Sequence, residues 1–138
     1  MKTIKRNWKS ITVALFCLTV ILSVSIPAFA AGSSQPVTLT VDDRIAISGR
    51  TGQSTKSAHV TGTVYAESKH GVVYHARSLK DGLGQWYDRA TRHYDDLTYD
   101  QNVDFWANPL RNDCWRLEIE PNGPLFTNCH ADGIIDNS

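Results

Sequence analysis

Residues 114 to 129 read Cys-Trp-Arg-Leu-Glu-Ile-Glu-Pro-Asn-Gly-Pro-Leu-Phe-Thr-Asn-Cys. Trp115, Leu117 and Ile119 alternate with Arg116, Glu118 and Glu120. That is the period-2 signature of a strand with one buried and one wet face. Pro121-Asn122-Gly123 has turn chemistry: proline pre-sets φ at the first corner, asparagine tolerates the second, and glycine accepts positive φ. Leu125 and Phe126 would open a return strand. The stretch predicts a β-hairpin with a cysteine at each outer end, directly opposite or, with a bulged glycine, diagonal. A disulfide needs Cα atoms within about 7 Å, so either register allows a Cys114–Cys129 bond. For so short a loop it would contribute roughly 3 kcal/mol.

Working outward, the N-terminus explains why those thiols would oxidise. Lys2, Lys5, Arg6 and Lys9 precede an apolar run from Ile11 to Ile26, and Ala28-Phe29-Ala30 is a small-x-small cleavage signature. The pattern predicts that residues 1–30 are a cleaved secretory signal peptide, leaving a secreted, extracellular protein. The apolar run is shorter than the ~20 residues of a membrane span, so no span is expected after signal cleavage. Cys17 follows Phe16 and lacks a lipoprotein cleavage context. Disulfides persist outside the cell. Cleavage would remove four of the 14 Lys+Arg and none of the 14 Asp+Glu, taking the formal charge from 0 to −4. What remains is uneven. Residues 31–94 carry eight Lys+Arg against five Asp+Glu, and residues 95–138 carry two against nine. Neither half is extreme enough to require an oppositely charged partner.

Between the two ends the chain reads as a series of short strands. Val37 to Val41 alternates, Arg44 to Ser48 is a second short strand, and Gly49 to Lys56 has loop composition. His59 to Leu79 predicts a second hairpin. In it Val60, Gly62, Val64 and Ala66 share a buried face with Val72, Tyr74 and Ala76. Thr63, Tyr65, Glu67, Val73, His75 and Arg77 take the wet face. Residues 85–97 are ambiguous: Trp86, Ala90, Tyr94 and Leu97 sit at helical spacing, but Trp, Tyr and Thr are β-formers and no N-cap precedes Trp86, which favours a strand plus an irregular segment. Val103 to Ala107 is another strand, and Ile134-Ile135 suggests a last edge strand. The expected fold is all-β, a small antiparallel β-sandwich or barrel closed by one disulfide. Residues 31–36 would form a flexible N-terminal segment, and residues 37–138 a single β domain. Trp115, Leu117 and Ile119 should meet Val60, Val64 and Tyr74 in its core.

Chemistry is sparse. Five histidines invite zinc, but only His70 and His75 are closely spaced, and those need not face one way. Asp100, Asn102 and Asp104 imitate the start of an EF-hand loop, yet Phe105 replaces the required glycine and Arg111 the bidentate glutamate. Asp95, Asp96 and Asp100 remain as an irregular calcium-binding option. There is no G-x-S-x-G, no phosphate-cradling loop and no nucleic-acid motif. No metal and no cofactor is expected. No motif ties the chain to a known family. The leading reading is a small secreted bacterial β-domain acting by extracellular binding, in an envelope, matrix, inhibitor or bacteriocin-like role. Its partner would be extracellular or in the cell envelope, and Tyr65, Tyr87 and Trp106 are the candidate binding aromatics. The alternative is a small secreted toxin enzyme, such as a ribonuclease, with nucleic acid as partner. The predicted hairpin register sets Tyr65 opposite His75 and Glu67 diagonal to it. Glu67, His75 and Arg77 would then supply a base, an acid and a phosphate-holding cation.

Overall fold

The computed structural model describes residues 33–79, 84–109, 113–123 and 126–138. These contain strands and no helix. In chain order the strands are β1 (Ser34–Leu39), β2 (Ala46–Ile47), β3 (Ala58–Val64), β4 (Val72–Leu79), β5 (Trp86–Tyr94), β6 (Gln101–Ala107), β7 (Cys114–Pro121) and β8 (Ala131–Asp136). They form two four-stranded sheets, ordered β1-β8-β3-β6 and β2-β7-β4-β5. The antiparallel pairs include β1 with β8, β2 with β7, β3 with β6 and β4 with β5. Nested pairing of that kind is a long hairpin wound over on itself, the jelly-roll arrangement. Neither sheet closes into a barrel.

The alternation read from the sequence places the core correctly. Val60, Val64, Val72, Tyr74, Ala76, Trp115, Leu117 and Ile119 are fully buried and belong to one cluster with Leu39, Val103, Phe105 and Ile135. Residues 86–94 form a strand, as their β-formers suggest. One internal detail fixes how the sheets face each other. Gly62 and Gly133 are opposed across β3 and β8. A Cβ on Gly62 would lie 2.2 Å from the Asp132 carbonyl, and one on Gly133 would lie 2.7 Å from Leu117 Cδ2. The space left at Gly133 receives the ring of Tyr74 from the opposite sheet, with Tyr74 Cε1 3.1 Å from where a Cβ would stand. Its hydroxyl reaches the carbonyls of Asp132 at 2.7 Å and Thr63 at 3.2 Å. Burial holds this phenol well above the ordinary tyrosine range.

Both predicted hairpins are corrected. β3 and β4 lie in different sheets, and the chain between them crosses from one to the other. β7 ends near a Pro121-Asn122-Gly123 turn in which Gly123 does take positive φ (148°). However, β7 pairs with β2 and β4, and the chain then crosses to β8. Phe126 is therefore not in a return strand beside β7, and Leu125 lies outside the described residues.

The Cys114–Cys129 disulfide falls with that hairpin. Both thiols are free and buried. Cys114 is paired with Leu79 at one end of β4, while Cys129 Sγ lies 3.3 Å from the His70 carbonyl beyond the other end. Eight residues of extended strand separate those ends by about 26 Å, far outside the reach of a disulfide. Two further expectations shift. Ser34 to Pro36, expected to be flexible, already belong to β1 and pair with Asp136 to Ile134. The strand around Ile134-Ile135 is interior, lying between β1 and β3. The expected signal peptide, residues 1–30, lies outside the described residues.

Candidate functional sites on the two outer sheet faces

The outward positions of β1-β8-β3-β6 form a polar face with aromatic groups at both ends. Pairing puts Ser34, Asp136, His59 and Trp106 in one row across the sheet, and Pro36, Ile134, Thr61 and Asp104 in the next. The third row is Thr38, Asp132, Thr63 and Asn102. His59 and Trp106 stack with centroids 4.2 Å apart and planes within 2°. Asp104 accepts a hydrogen bond from His59 Nε2 at 2.8 Å and so fixes the imidazole against the indole. Trp106 remains 59% exposed. Because His59 covers the indole on the β3 side, the open indole face looks outward past β6, the edge strand.

At the other end Tyr65 stacks on His130 at 4.3 Å, and His130 Nδ1 pairs with Glu67. The Tyr65 hydroxyl donates to Asp132 Oδ2 at 2.5 Å, and the Thr63 amide donates to Asp132 Oδ1. The hydrogen bond to Asp132, and then that residue's negative charge, push the Tyr65 phenol above its ordinary value.

The outward face of β2-β7-β4-β5 is a charged grid. Buried Glu118, 2% exposed, is held by Arg77 at 2.8 Å and by Arg116. Arg77 also donates to Asp88 at 2.8 Å, and the Arg116 guanidinium sits over the Trp86 ring at 4.3 Å. One row along, His75 is wedged between two strands. Its Nε2 lies 3.1 Å from Glu120 Oε1, and its Nδ1 lies 3.1 Å from Thr91 Oγ1. Asp88 Oδ1 also lies 3.5 Å from His75 Nδ1, so the ring sits among three side chains from β5 and β7. A groove of about 530 Å³ opens beside this pair, lined by Arg44, Ile45, Val73, His75, His93 and Glu120 among others.

The structure separates the sequence-predicted residues. His75 and Arg77 share a face, as expected, but Glu67 lies in the turn between β3 and β4 and pairs with His130. The carboxylates that meet His75 and Arg77 are Glu118, Glu120 and Asp88, contributed by β7 and β5. Tyr65 and Trp106 share the outward face of the first sheet. Tyr87 pairs with Ser78 on the edge strand of the second sheet, its hydroxyl bonded to Gln85, so it joins neither Tyr65 nor Trp106. The acidic segment is dispersed: Asp95 accepts from Asn122, Asp96 from Thr98 and Asp100 from the Ala66 amide. Among the described residues no three His, Cys, Asp or Glu side chains are grouped so as to hold a metal ion. The groove residues Glu120, His93 and Arg44 were missed. The period-2 pattern marked Glu120 as outward, but nothing local says that β7 and β5 flank β4.

No family model matches the chain, and no curated protein matches it in sequence. Among solved structures, one match is the crystal structure of the Yersinia pseudotuberculosis-derived mitogen. It is 8% identical, with a TM-score of 0.37, and the alignment covers 77% of this chain and 84% of that one.

Proposed function

We propose that the protein is a binding module that acts outside the cell, and that it takes a carbohydrate on the outward face of β1-β8-β3-β6. The observation that carries this reading is the His59–Trp106 stack, pinned by Asp104 and open on the side facing away from the sheet. Trp106 is 59% exposed, and the stack with His59 leaves its other ring face uncovered. A rigid, half-open ring loses little entropy when a flat C–H face settles on it. Asp104 and Asn102 follow Trp106 along the same edge strand, all exposed, at spacings of about 6.7 Å. They offer acceptors and a donor to hydroxyl groups. The outward strand positions of this face include Asp104, Asp132 and Asp136 and no Lys or Arg. That favours neutral hydroxyl-rich chains over phosphorylated or sulfated ones.

The purified protein should be retained by neutral cell-wall or matrix polysaccharides and quench or shift its indole fluorescence on binding. Trp106→Ala should weaken retention at least tenfold without moving the melting temperature by more than a degree or two. Equal retention of wild type and Trp106→Ala would reject this surface. The catalytic alternative drawn from the sequence is not carried forward in its original form, because Glu67 is remote and Arg77 is already committed to two carboxylates.

A further inference from the structure

The groove on the second sheet is independent of the Trp106 face and carries a different chemistry. Its floor is Val73, which is 4% exposed. Strand pairing places Glu120 on one side of Val73 and His93 on the other. The two backbones are therefore two strand spacings apart, about 9.6 Å, with their side chains rising from the same face. Glu120 is held from behind by His75 Nε2. The His93 and Arg44 side chains carry no hydrogen bond or ion pair among the described residues, yet both line the groove. The committed groups and the free ones thus divide cleanly. Arg77 and His75 are occupied as supports, while Glu120 Oε2, His93 and Arg44 are open to a ligand.

We propose that this groove cleaves single-stranded RNA by acid–base catalysis. A carboxylate and an imidazole on opposite sides of a narrow apolar floor suit an in-line displacement at phosphorus, where the proton is taken on one side and given on the other. RNA brings its own nucleophile, so the groove needs no activated serine or cysteine. Glu120 takes the proton of the ribose 2′-hydroxyl as that oxygen bonds to phosphorus. The P–O5′ bond breaks, its electron pair leaves with O5′, and His93 in the imidazolium form supplies the proton that O5′ takes. The products are a 2′,3′-cyclic phosphate and a 5′-hydroxyl. Arg44 neutralises the phosphoryl oxygens as charge builds on them. His75 is a positioning residue that aims Glu120.

The test uses the purified protein and an end-labelled single-stranded RNA, beside DNA of the same sequence and a 2′-O-methyl copy. The expected result is cleavage of RNA alone, with products ending in a 2′,3′-cyclic phosphate. Glu120→Gln and His93→Ala should each slow cleavage by about 100-fold or more with unchanged melting temperature. His75→Gln, whose amide can still donate to Glu120, should retain far more activity than His75→Leu, although both remove the imidazole. Uncut RNA, cutting of DNA or the 2′-O-methyl strand, or wild-type rates in the Glu120 and His93 variants would each overturn the proposal. So would RNA that is bound and left intact.

Discussion

Gly133→Ala tests how the two sheets face each other. Gly133 sits on β8 with its missing side chain directed at the other sheet. An added Cβ would lie 2.7 Å from Leu117 Cδ2, 3.1 Å from Tyr74 Cε1 and 3.3 Å from Ile119 Cδ1. Relaxed carbon contacts lie at about 3.5–4.0 Å, so the Leu117 methyl must retreat by roughly 1 Å. It has little room to do so, because Leu117, Tyr74 and Ile119 are all fully buried. Overpacking of this size costs about 2 kcal/mol, equivalent to a fall of about 8 °C in melting temperature for a domain near 100 residues. Leu117→Ala alone should cost about 2–5 kcal/mol through the cavity it leaves. The combined variant is the decisive one. If the alanine methyl fills space vacated by Leu117, the double variant should be more stable than the sum of the two losses by about 1–2 kcal/mol. Urea denaturation of the four proteins, with slopes checked for constancy, measures each term. A neutral Gly133→Ala, or strictly additive losses, would mean that β8 and β7 do not meet across the core as described.

Glu118→Gln should destabilise the protein by about 2 kcal/mol in the same assay. It leaves Arg77 and Arg116 without their shared buried carboxylate, and Asp88 and partial solvent contact keep the loss below that of a sealed pair. Glu67→Gln, on a largely exposed carboxylate, should change stability by less than about 0.5 kcal/mol. The Thr40–Asp43 turn should loosen in acid. The Thr40 hydroxyl and amide donate to Asp43 and hold its carboxyl below the usual value. A carboxyl with a depressed folded pKa stabilises above its unfolded value and loses that contribution as pH falls through the folded one. Amide exchange at Thr40 should therefore accelerate at low pH more than the intrinsic rate explains, and exchange that follows the intrinsic rate would remove the latch. Unfolded without reductant, the protein should take up an alkyl group on each of Cys114 and Cys129. In the folded state Cys129 should react slowly, since burial raises its thiol pKa. An intramolecular disulfide in the native protein would contradict the placement of those residues at opposite ends of β4.

Strand positions and faces were legible because they are local properties. Trp115, Leu117 and Ile119 alternate with charged residues, and a pleated strand has only two faces to give them. The same holds for Val60 and Val64, and for Val72, Tyr74 and Ala76, all of which are in the core. The strand at residues 86–94 was only half legible: Trp, Tyr and Thr favoured it, while Trp86, Ala90 and Tyr94 also stand at helical spacing. Its irregularity has a structural source. The register shifts between Ala76 and Arg77, so Arg89 is an extra residue in β5 and the period breaks there.

Partners were not legible, and the site depended on them. Turns do stand where the chain leaves β3 and β7: the Ser68 amide bonds to the Tyr65 carbonyl, and the Gly123 amide to the Pro121 carbonyl. A tight turn, however, can return the chain beside the strand it left or carry it over to a facing sheet, and the turn residues alone do not choose. The choice is made by burial on both sheets at once. If β3 and β4 paired as a hairpin, Tyr74 would share a sheet with Gly133 rather than fill the space it leaves. If β7 returned on itself, β4 would lose the neighbour that brings Glu118 and Glu120 to Arg77 and His75. The local reading therefore gave His75 the right face and the wrong carboxylate. Glu67 is eight residues away in sequence, in the turn after β3 and against His130, whereas Glu120, 45 residues away, is the group in contact. In a nested hairpin such long separations are the rule, because each strand's neighbours come from opposite arms of the chain. A functional constellation on such a sheet face is assembled by the winding, and it becomes visible only when the strand order is known.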